Sequence, residues 1–374
     1  MTRITLLVAL FVFSLAVFTA FRSSQEGPAE NLRDLYAGTP ETWPAPHLDE
    51  GVPHRELGPL PEVNYPEDNP YTKEAEDLGK MLFFDPRLSV SRQIACASCH
   101  DPELGWADGR QFAFGHNRRQ GKRNTMSILN TAYFDELFWD GRTASLEEQS
   151  LFPLQDHVEM NMDLEVAIAR LNSIPEYITL FEEVYQVDSI ELEHLQKALA
   201  TFERGIVSRK SRFDYFVEGD QEALNDQELL GLHLFRTKAR CMNCHNGPLF
   251  SDNQYHNNGQ SMFGRPGEDL GRYLVTEETA DVGKFRTPSL RDVTYTGPWL
   301  HNGGIFELSE MIDMYERGMP QIIPRKMEGH PLYPQKSPLL KPLNLNSEEK
   351  QALLAFLEAI STRPHRIRVP ELPQ

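Results

Sequence analysis

Cysteine is scarce in this chain, with four residues among 374. That density is far below what a small disulfide-stabilised scaffold uses, and a chain of this length does not depend on such a framework. Regular alternation of apolar and polar residues is also scarce, which argues against a fold built mainly from β-strands. These absences favour a mainly helical globular protein in which the few cysteines serve one specific chemical purpose.

Basic residues are outnumbered by acidic ones. There are 37 Lys and Arg against 55 Asp and Glu, so the formal net charge is −18. This charge argues against nucleic acid and bare anionic membrane as partners, and it favours a partner protein with a basic docking face or simply serves solubility. The hydrophobic content of 40% is enough for packed cores, and the length suggests two or three domains.

A long hydrophobic run occurs at the N-terminus, where residues 4–21 are apolar or small between Arg3 and Arg22. The run is apolar on every face, unlike an amphipathic core helix. Its 18 residues exceed an ordinary signal core, are just enough to span a bilayer, and are not followed by a clean small-residue cleavage site. Residues 1–22 are therefore predicted to be a signal peptide or a membrane anchor, and either one places the body of the protein in the periplasm.

The four cysteines lie in two copies of the pattern Cys-x-x-Cys-His, at residues 96–100 and 241–245. In this pattern two thiols form thioethers to the vinyl groups of a haem, and the histidine binds the iron. We therefore expect two covalently bound c-type haems, with His100 and His245 as iron ligands. The predicted attachment residues are Cys96, Cys99, Cys241 and Cys244.

A zinc site made from the same two cysteine pairs is the main alternative. Such pairs usually lie within about 15 to 20 residues of each other, whereas His245 follows His100 by 145 positions. Zinc also leaves a histidine directly after both pairs unexplained. The pattern therefore indicates a dihaem c-type cytochrome.

Apolar spacing predicts a mainly α fold. Helices are expected at residues 73–84, 163–171, 175–185 and 190–202. Asn225 is expected to cap a helix that leads to Cys241, and Asn346 with Glu349 resembles a capping box at the head of a final helix.

The order of these elements predicts two cytochrome c-like haem domains with long connecting loops, meeting near residues 205–225. The first domain is assigned to residues 73–215 and the second to residues 216–374. Before them, residues 23–72 are rich in proline and acidic residues, which predicts a linker that becomes an extended wrap. The loops are expected to supply the distal sides of the haems.

Further segments resemble the bacterial dihaem cytochrome c peroxidases and their MauG-like relatives. The resemblance covers about residues 73–361 and rests on residues 96–100, 115–116, 123–124, 138–142, 159–160, 241–245, 285–291 and 301–304. It implies that the N-terminal haem reacts with peroxide, and that the C-terminal haem relays electrons to it or shares oxidising equivalents with it.

The resemblance implies roles for three residues beside the first haem. Glu159 would move a proton between the two peroxide oxygens as their bond breaks, and Gln149 would orient peroxide or a water molecule. Without the resemblance, Gln149 would be assigned to a solvated helix face. His116 matches a residue that closes the sixth iron site in typical resting peroxidases, whereas MauG-like enzymes keep that iron open. An ordinary surface histidine is the alternative.

The resemblance implies roles for two aromatic residues, one between the haems and one at the second haem. Trp139 matches the family's indole between the haems, which can carry an electron across the gap, although a core tryptophan would suit the position as well. Alignment on residues 296–298 places the sixth ligand at Tyr315, where typical peroxidases carry Met and MauG-like proteins carry Tyr. A phenolate favours ferric and higher oxidation states. Met314 and Met319 lie close by, and either one is an alternative sixth ligand. Tyr315 could also be a buried tyrosine without a ligand role.

Three further positions match those that hold a calcium ion between the two domains of the family: Asn124, Thr296 and Pro298. One side-chain carbonyl and two backbone carbonyls are hard oxygen donors of the kind that calcium prefers.

Together these features predict an exported MauG-like dihaem peroxidase. It would reduce hydrogen peroxide with electrons from a small cytochrome c or cupredoxin. Two alternatives use the same cofactors: peroxide-dependent oxidation of residues on a partner protein, as MauG performs, and electron transfer without catalysis.

Overall fold

The computed structural model describes residues 32–374. The predicted signal or anchor at residues 1–22 lies outside the described residues. Among residues 32–374, no helix combines the length and the apolar character needed to cross a membrane.

The described chain is mainly helical, as the sequence predicted. In chain order the α-helices are α1 (Leu32–Leu35), α2 (Lys73–Phe83), α3 (Leu146–Gln149), α4 (Leu151–Gln155), α5 (Leu164–Asn172), α6 (Pro175–Tyr185), α7 (Leu192–Arg204), α8 (Arg212–Val217), α9 (Asp226–Arg236), α10 (Tyr273–Thr276), α11 (Leu308–Glu316) and α12 (Ser347–Ala359). The strands β1 (Tyr255–His256) and β2 (Phe285–Arg286) form one short antiparallel pair.

The helix boundaries follow local signals in the sequence. The four helices expected from apolar spacing are α2, α5, α6 and α7, each within two residues of the expected limits. Asn225 caps α9, because its Oδ1 accepts from the backbone N of Glu228 at 3.0 Å while the Glu228 carboxylate accepts from the backbone N of Asn225 at 2.9 Å. Asn346 and Glu349 repeat this capping box at α12. Each cap satisfies backbone donors that the first helical turn leaves free.

The buried hydrophobic side chains form two main clusters. The first is built from residues between Leu78 and Ile206, and the second from residues between Phe213 and Ile360. The second cluster also contains Tyr36, Trp43 and Leu57, which lie before α2 in the chain. The part of the Pro-rich segment up to Leu57 therefore packs on the second half of the molecule, whereas Asn69 donates to Glu147 in the first half at 2.8 Å. Helix α8 belongs to the second cluster, and the predicted limit at residue 215 falls inside it.

Each cluster contains one very close helix crossing. A Cβ on Gly79 of α2 would lie 2.0 Å from the backbone oxygen of Ala198 in α7. A Cβ on Gly231 of α9 would lie 2.0 Å from the backbone oxygen of Ala352 in α12. Only a residue without a Cβ allows the helix axes to approach so closely. Since α2 and α9 each precede one Cys-x-x-Cys-His motif, the two halves share a helix pair, a close crossing and an attachment loop.

Candidate haem sites

The first motif folds into a single tight turn. Residues Cys96–Ser98 form a 3-10 helix, and the backbone N of His100 donates to the backbone oxygen of Cys96 at 3.0 Å. The Nδ1 of His100 lies 3.1 Å from the backbone oxygen of Trp106. Burial lowers the pKa of the imidazole, so the ring is neutral and Nδ1 carries the donated proton. The other ring nitrogen, Nε2, is then an unprotonated ligand atom whose orientation is fixed.

The second motif repeats this geometry. Residues Cys241–Asn243 form the turn, and the backbone N of His245 donates to the backbone oxygen of Cys241 at 2.8 Å. The Nδ1 of His245 lies 2.9 Å from the backbone oxygen of Phe250, and burial again lowers the pKa of the ring. Both motifs thus present a neutral imidazole with Nε2 free for a metal.

The motif residues are surrounded by protein and still keep accessible surface. All four cysteines are half-buried, yet burial raises the thiol pKa of Cys96 and of Cys241. Cys241 and Cys244 keep this surface because they line a cavity.

A large cavity opens at the second motif and is called the second cavity below. Its empty volume is about 1970 Å³, including the part open to solvent, and its wall is mainly apolar. Cys241, Cys244 and His245 line it together with Trp139 and Tyr315. A haem is a large, flat and mostly apolar group, so the residues present fit a haem attached through these cysteines.

The four cysteines do not come together as the alternative zinc site would require. Among residues 32–374, the one group of three ligand side chains close enough to share a metal ion is Cys244, Asp252 and His256, with ligand atoms within 4.8 Å. It contains a single cysteine. A thioether to a haem would use that sulfur, and Asp252 and His256 would remain as the ion pair that they form at 2.8 Å.

Glu159 lies beside the first motif. Its backbone oxygen accepts from the backbone N of His116 at 2.8 Å. Its side chain is solvent-accessible, although protein atoms surround much of it. Desolvation by these atoms and the nearby Asp156 raise the pKa of the carboxyl to about 7, against the opposing effect of Arg142. Burial also raises the pKa of the Cys99 thiol, and the Glu159 carboxylate adds to that rise. The acid therefore lies within electrostatic reach of the attachment cysteines.

His116 and Gln149 differ in their surroundings. The Nδ1 of His116 is buried without a hydrogen-bond partner in the described part of the chain. Gln149 ends α3, is half-buried, and makes no side-chain hydrogen bond within residues 32–374. The structure thus joins His116 to Glu159 through the backbone, while no hydrogen bond joins Gln149 to either residue.

Trp139 is held rigidly at the edge of the second cavity. It is 9% exposed, and its Nε1 donates to the backbone oxygen of Asn124 at 3.0 Å. Its ring lies edge-on to the ring of His301, with centroids 6.4 Å apart. The indole is therefore both fixed and open to the cavity that it lines.

Tyr315, on α11, is the sixth-ligand candidate that reaches the second cavity. Burial raises the pKa of its phenol, and the nearby thiols of Cys244 and Cys241 add to that rise. Neither Met314 nor Met319 lines the cavity. The Sδ of Met314 instead accepts from Arg317 at 3.5 Å.

The three positions implied for calcium carry oxygen atoms without donors in the described residues. Asn124 donates through Nδ2 to the backbone oxygen of Arg110 at 2.9 Å, which leaves its Oδ1 unpaired. The backbone oxygens of Thr296 and Pro298 accept no hydrogen bond from residues 32–374. The backbone N of Asn124 donates to the backbone oxygen of His301 at 2.7 Å, which ties Asn124 to the loop that carries the other two residues.

Several site features were missed by sequence reasoning. The carbonyls of Trp106 and Phe250 orient the two histidines, but a backbone carbonyl leaves no signal in a sequence. Arg123 links the two halves by pairing with Asp140 and with Asp269, each at 2.6 Å. The only indication in the sequence was that Arg123 precedes Asn124 in one of the segments that resemble the family.

Comparisons with known proteins identify the family of the chain. A family model described as di-haem cytochrome c peroxidase matches residues 73–222. The chain is 39% identical over 337 residues to the cytochrome-c peroxidase IdrP1 of Pseudomonas sp. (strain SCT), covering 82% of this chain and 86% of that protein. It is 38% identical over 314 residues to the methylamine utilization protein MauG of Methylorubrum extorquens, covering 83% and 85%.

Solved structures give the same result. A MauG-like protein associated with microbial copper homeostasis superposes with a TM-score of 0.73 at 30% identity, covering 84% of this chain and 96% of that one. The predictions of an enzyme and of a family with two haems are confirmed by these relatives. The chain therefore belongs to the di-haem cytochrome c peroxidase family, and it is a haem-dependent oxidoreductase of the peroxidase and MauG type.

Proposed function

We propose that this chain is a periplasmic, MauG-like peroxidase that reduces hydrogen peroxide to water at the haem of His100. Its electrons come from a small cytochrome c or cupredoxin. One observation carries the proposal: the two histidine sites are built alike, but the first has a carboxyl with a pKa of about 7 and the second has a phenol. This difference supports proton transfer at the first site and electron storage at the second.

Each half of the molecule is proposed to be a cytochrome c-like haem domain. The repeated helix pair, with Gly79 in one crossing and Gly231 in the other, supports this division. So do the two attachment turns, in which the same histidine nitrogen donates to a backbone carbonyl.

When bound, the haem supplies an iron that takes peroxide and exchanges electrons with it. The chain supplies the proton transfer. Glu159, with a pKa near neutrality, can accept a proton from one peroxide oxygen and return it to the other. Gln149 is proposed to orient the peroxide, since its amide is not held by another residue of the described chain.

His116 is proposed as a gate on the first site. Its buried, unpartnered Nδ1 and its backbone bond to Glu159 place it beside the proton-transfer residue. Binding of His116 to the iron of His100 would close the site to peroxide, and its release would open it.

Trp139 is proposed to couple the two sites. Its ring lines the second cavity, and its Nε1 is anchored on the residue after Arg123, which bridges the two halves. A fixed indole between redox centres loses little energy to reorganisation when it passes an electron.

Asn124, Thr296 and Pro298 are proposed to hold one calcium ion. Their unpaired oxygens support the assignment. The ion would bridge the loop of Asn124 and the loop of Thr296, which His301 already connects.

Tyr315 is proposed as the second ligand of the haem held by His245. Replacing Tyr315 by Met should raise the reduction potential of that haem, because thioether sulfur favours reduced iron more than phenolate does. A sulfur-to-iron absorption should appear in the ferric spectrum. Spectroelectrochemistry of the variant is the measurement, with Met314→Leu and Met319→Leu as controls that leave the spectrum and potentials of the wild-type protein. A loss of the wild-type low-spin signal in either Leu variant would contradict the assignment.

A second candidate function is peroxide-dependent oxidation of residues on a partner protein. Tyr315 lines the cavity and neither Met314 nor Met319 does, which favours this function. Phenolate ligation stabilises the highly oxidised iron that is needed to oxidise a protein side chain, which is a poor reductant. The acidic surface implied by the net charge of −18 suits a basic partner in either case.

The experiment that tests the function is electron paramagnetic resonance of the ferric protein before and after peroxide, paired with peroxide-dependent oxidation of a reduced small cytochrome c. One high-spin and one low-spin haem, both lost on adding peroxide, together with steady donor oxidation, would support peroxidase function. Loss of both signals with no donor oxidation would favour the partner-protein reaction. Two low-spin haems that ignore peroxide even after prior reduction would overturn both.

A further inference from the structure

Arg286 is the exception among the buried arginines of residues 32–374. Four arginines are buried, and three of them have a carboxylate partner. The paired ones are Arg204 with Glu147, Arg236 with Glu56, and Arg291 with Asp214. Arg286 is 4% exposed and forms no ion pair in the described chain.

The contacts of Arg286 leave its charge uncompensated. Its Nε donates to the backbone oxygen of Phe138 at 3.2 Å, and one Nη faces the sulfur of Met126 at 3.8 Å. The other, Nη1, is buried without a partner. The guanidinium lies over the ring of Phe134, 3.6 Å from its centroid. None of these neighbours carries a negative charge.

Glu136, the carboxylate that influences the pKa of Arg286, is already engaged. Glu136 pairs with Arg272 at 2.9 Å and accepts from the hydroxyl of Tyr255 at 2.7 Å. Burial lowers the pKa of Arg286 to about 10, although Tyr255 and Glu136 oppose this shift from a distance. The side chain is therefore still a cation at neutral pH, and a cation at this depth requires an anion beside it.

The cavity at the second motif explains where that anion comes from. Arg286 lines this cavity. In a chain with 55 acidic residues, the cavity wall contains no Asp or Glu, but it contains five cationic residues: His256, which pairs with Asp252, and Arg240, Arg286, Arg291 and Lys341. Arg240 and Lys341 pair with Asp49, and Arg291 pairs with Asp214. Arg286 is the cation left over, and the cavity lacks an anion of its own.

We propose that Arg286 binds a propionate carboxylate of the haem attached at Cys241 and Cys244. The two propionates are the anionic substituents of a haem, and a guanidinium matches a carboxylate in both charge and geometry. The inference rests on the haem attachment in the proposed function and adds a residue that fixes the orientation of that haem in its cavity.

The position of Arg286 gives the contact a further consequence. Its backbone N donates to the backbone oxygen of Trp139 at 2.8 Å, and its Nε binds the preceding carbonyl, that of Phe138. One residue thus connects the propionate end of the second haem to the indole proposed to couple the two sites. Arg286 is a positioning residue for that coupling.

Resonance Raman spectroscopy of the purified holoprotein tests the proposal, because the propionate bending bands respond to hydrogen bonding of the carboxylate. Haem labelled with ¹³C at the propionates identifies the bands. In Arg286→Gln we expect the band of one haem to move to the frequency of an unbound propionate, while the other haem is unchanged. Arg286→Lys should give an intermediate shift, because it keeps the charge and loses the forked donor.

Arg272→Gln is the matched control. Its guanidinium is paired with Glu136 and does not line the cavity, so the propionate bands should stay at the wild-type frequencies. The haem content of the purified protein distinguishes failure of the proposed function from failure of the Arg286 contact. A protein without a haem at Cys241 and Cys244 would overturn both. If both haems are attached and the bands of Arg286→Gln or Arg286→Lys equal those of the wild type, Arg286 does not bind a propionate.

Discussion

Peroxide turnover is expected to fall by about 10²- to 10⁴-fold when Glu159 is replaced by Gln, the range that a positioned general acid–base group contributes. Gln keeps the size and the neutral form of the side chain but cannot accept a proton. Haem attachment through Cys96 and Cys99 should be unaffected, because Glu159 lies outside the attachment turn and makes no hydrogen bond to it in the described chain. Steady-state turnover with a reduced donor is the measurement.

The pH profile provides a second expected result for the same residue. Glu159 must first be ionised to take a proton from peroxide, and its pKa is raised to about 7 by burial and by Asp156. Turnover of the wild-type protein should therefore decline as the pH falls below about 7. The variant should lose this transition along with most of its activity. An unchanged profile in the variant would contradict the assignment.

Two controls separate proton transfer from unfolding. Glu148→Gln changes an exposed acid of α3 and should leave turnover unchanged. Stability gives the other control. The pKa of Glu159 is raised in the folded state, so the folded state binds more protons, and stability is lost as the pH rises from about 4.5 to about 7. Glu159→Gln avoids this loss and should be at least as stable as the wild-type protein above pH 7.

Replacing Gly231 by Ala is expected to destabilise the protein by about 1–3 kcal/mol or more, the cost of overpacking a tight core. The added Cβ would lie 2.0 Å from the backbone oxygen of Ala352, and a backbone atom cannot move aside as a side chain can. Ala stabilises a helix by about 1 kcal/mol relative to Gly. The steric clash must therefore cost more free energy than this gain in helix propensity. Denaturant unfolding followed by circular dichroism measures the change in the free energy of unfolding.

Gly79→Ala is the matched variant in the other half, where the Cβ would meet the backbone oxygen of Ala198 at the same distance. A loss of similar size there would show that both helix pairs depend on the same close approach. Gly58→Ala is the control, because its Cβ would have no heavy atom within 4 Å. If Gly231→Ala were as stable as Gly58→Ala, the close crossing would not be a requirement of the fold.

Local sequence was enough to predict the attachment motifs and the helices, and the helices are confirmed. A haem-attachment motif consists of five adjacent residues, so Cys96, Cys99 and His100 can be identified without any knowledge of the fold. Helix caps are equally local, and Asn225 with Glu228 forms one across three positions. Apolar spacing located α2, α5, α6 and α7 because each helix buries one face.

The distal residues depended on the family resemblance, since nothing local distinguishes them. Glu159 is one of many acidic residues in the sequence, and Tyr315 is flanked by methionines with better-known ligand chemistry. Only the folded chain shows that Glu159 is enclosed beside the first motif and that Tyr315, unlike Met314 and Met319, lines the second cavity.

The sequence by itself indicated haem attachment and determined the helical character of this protein, because both depend on residues that are neighbours along the chain. Tertiary structure alone decided how the part of the Pro-rich segment around Trp43 packs in the second core, and which buried cation lacks a partner. These features join residues far apart in sequence. The burial of Arg286 and its lack of a carboxylate partner exist only once the chain has folded.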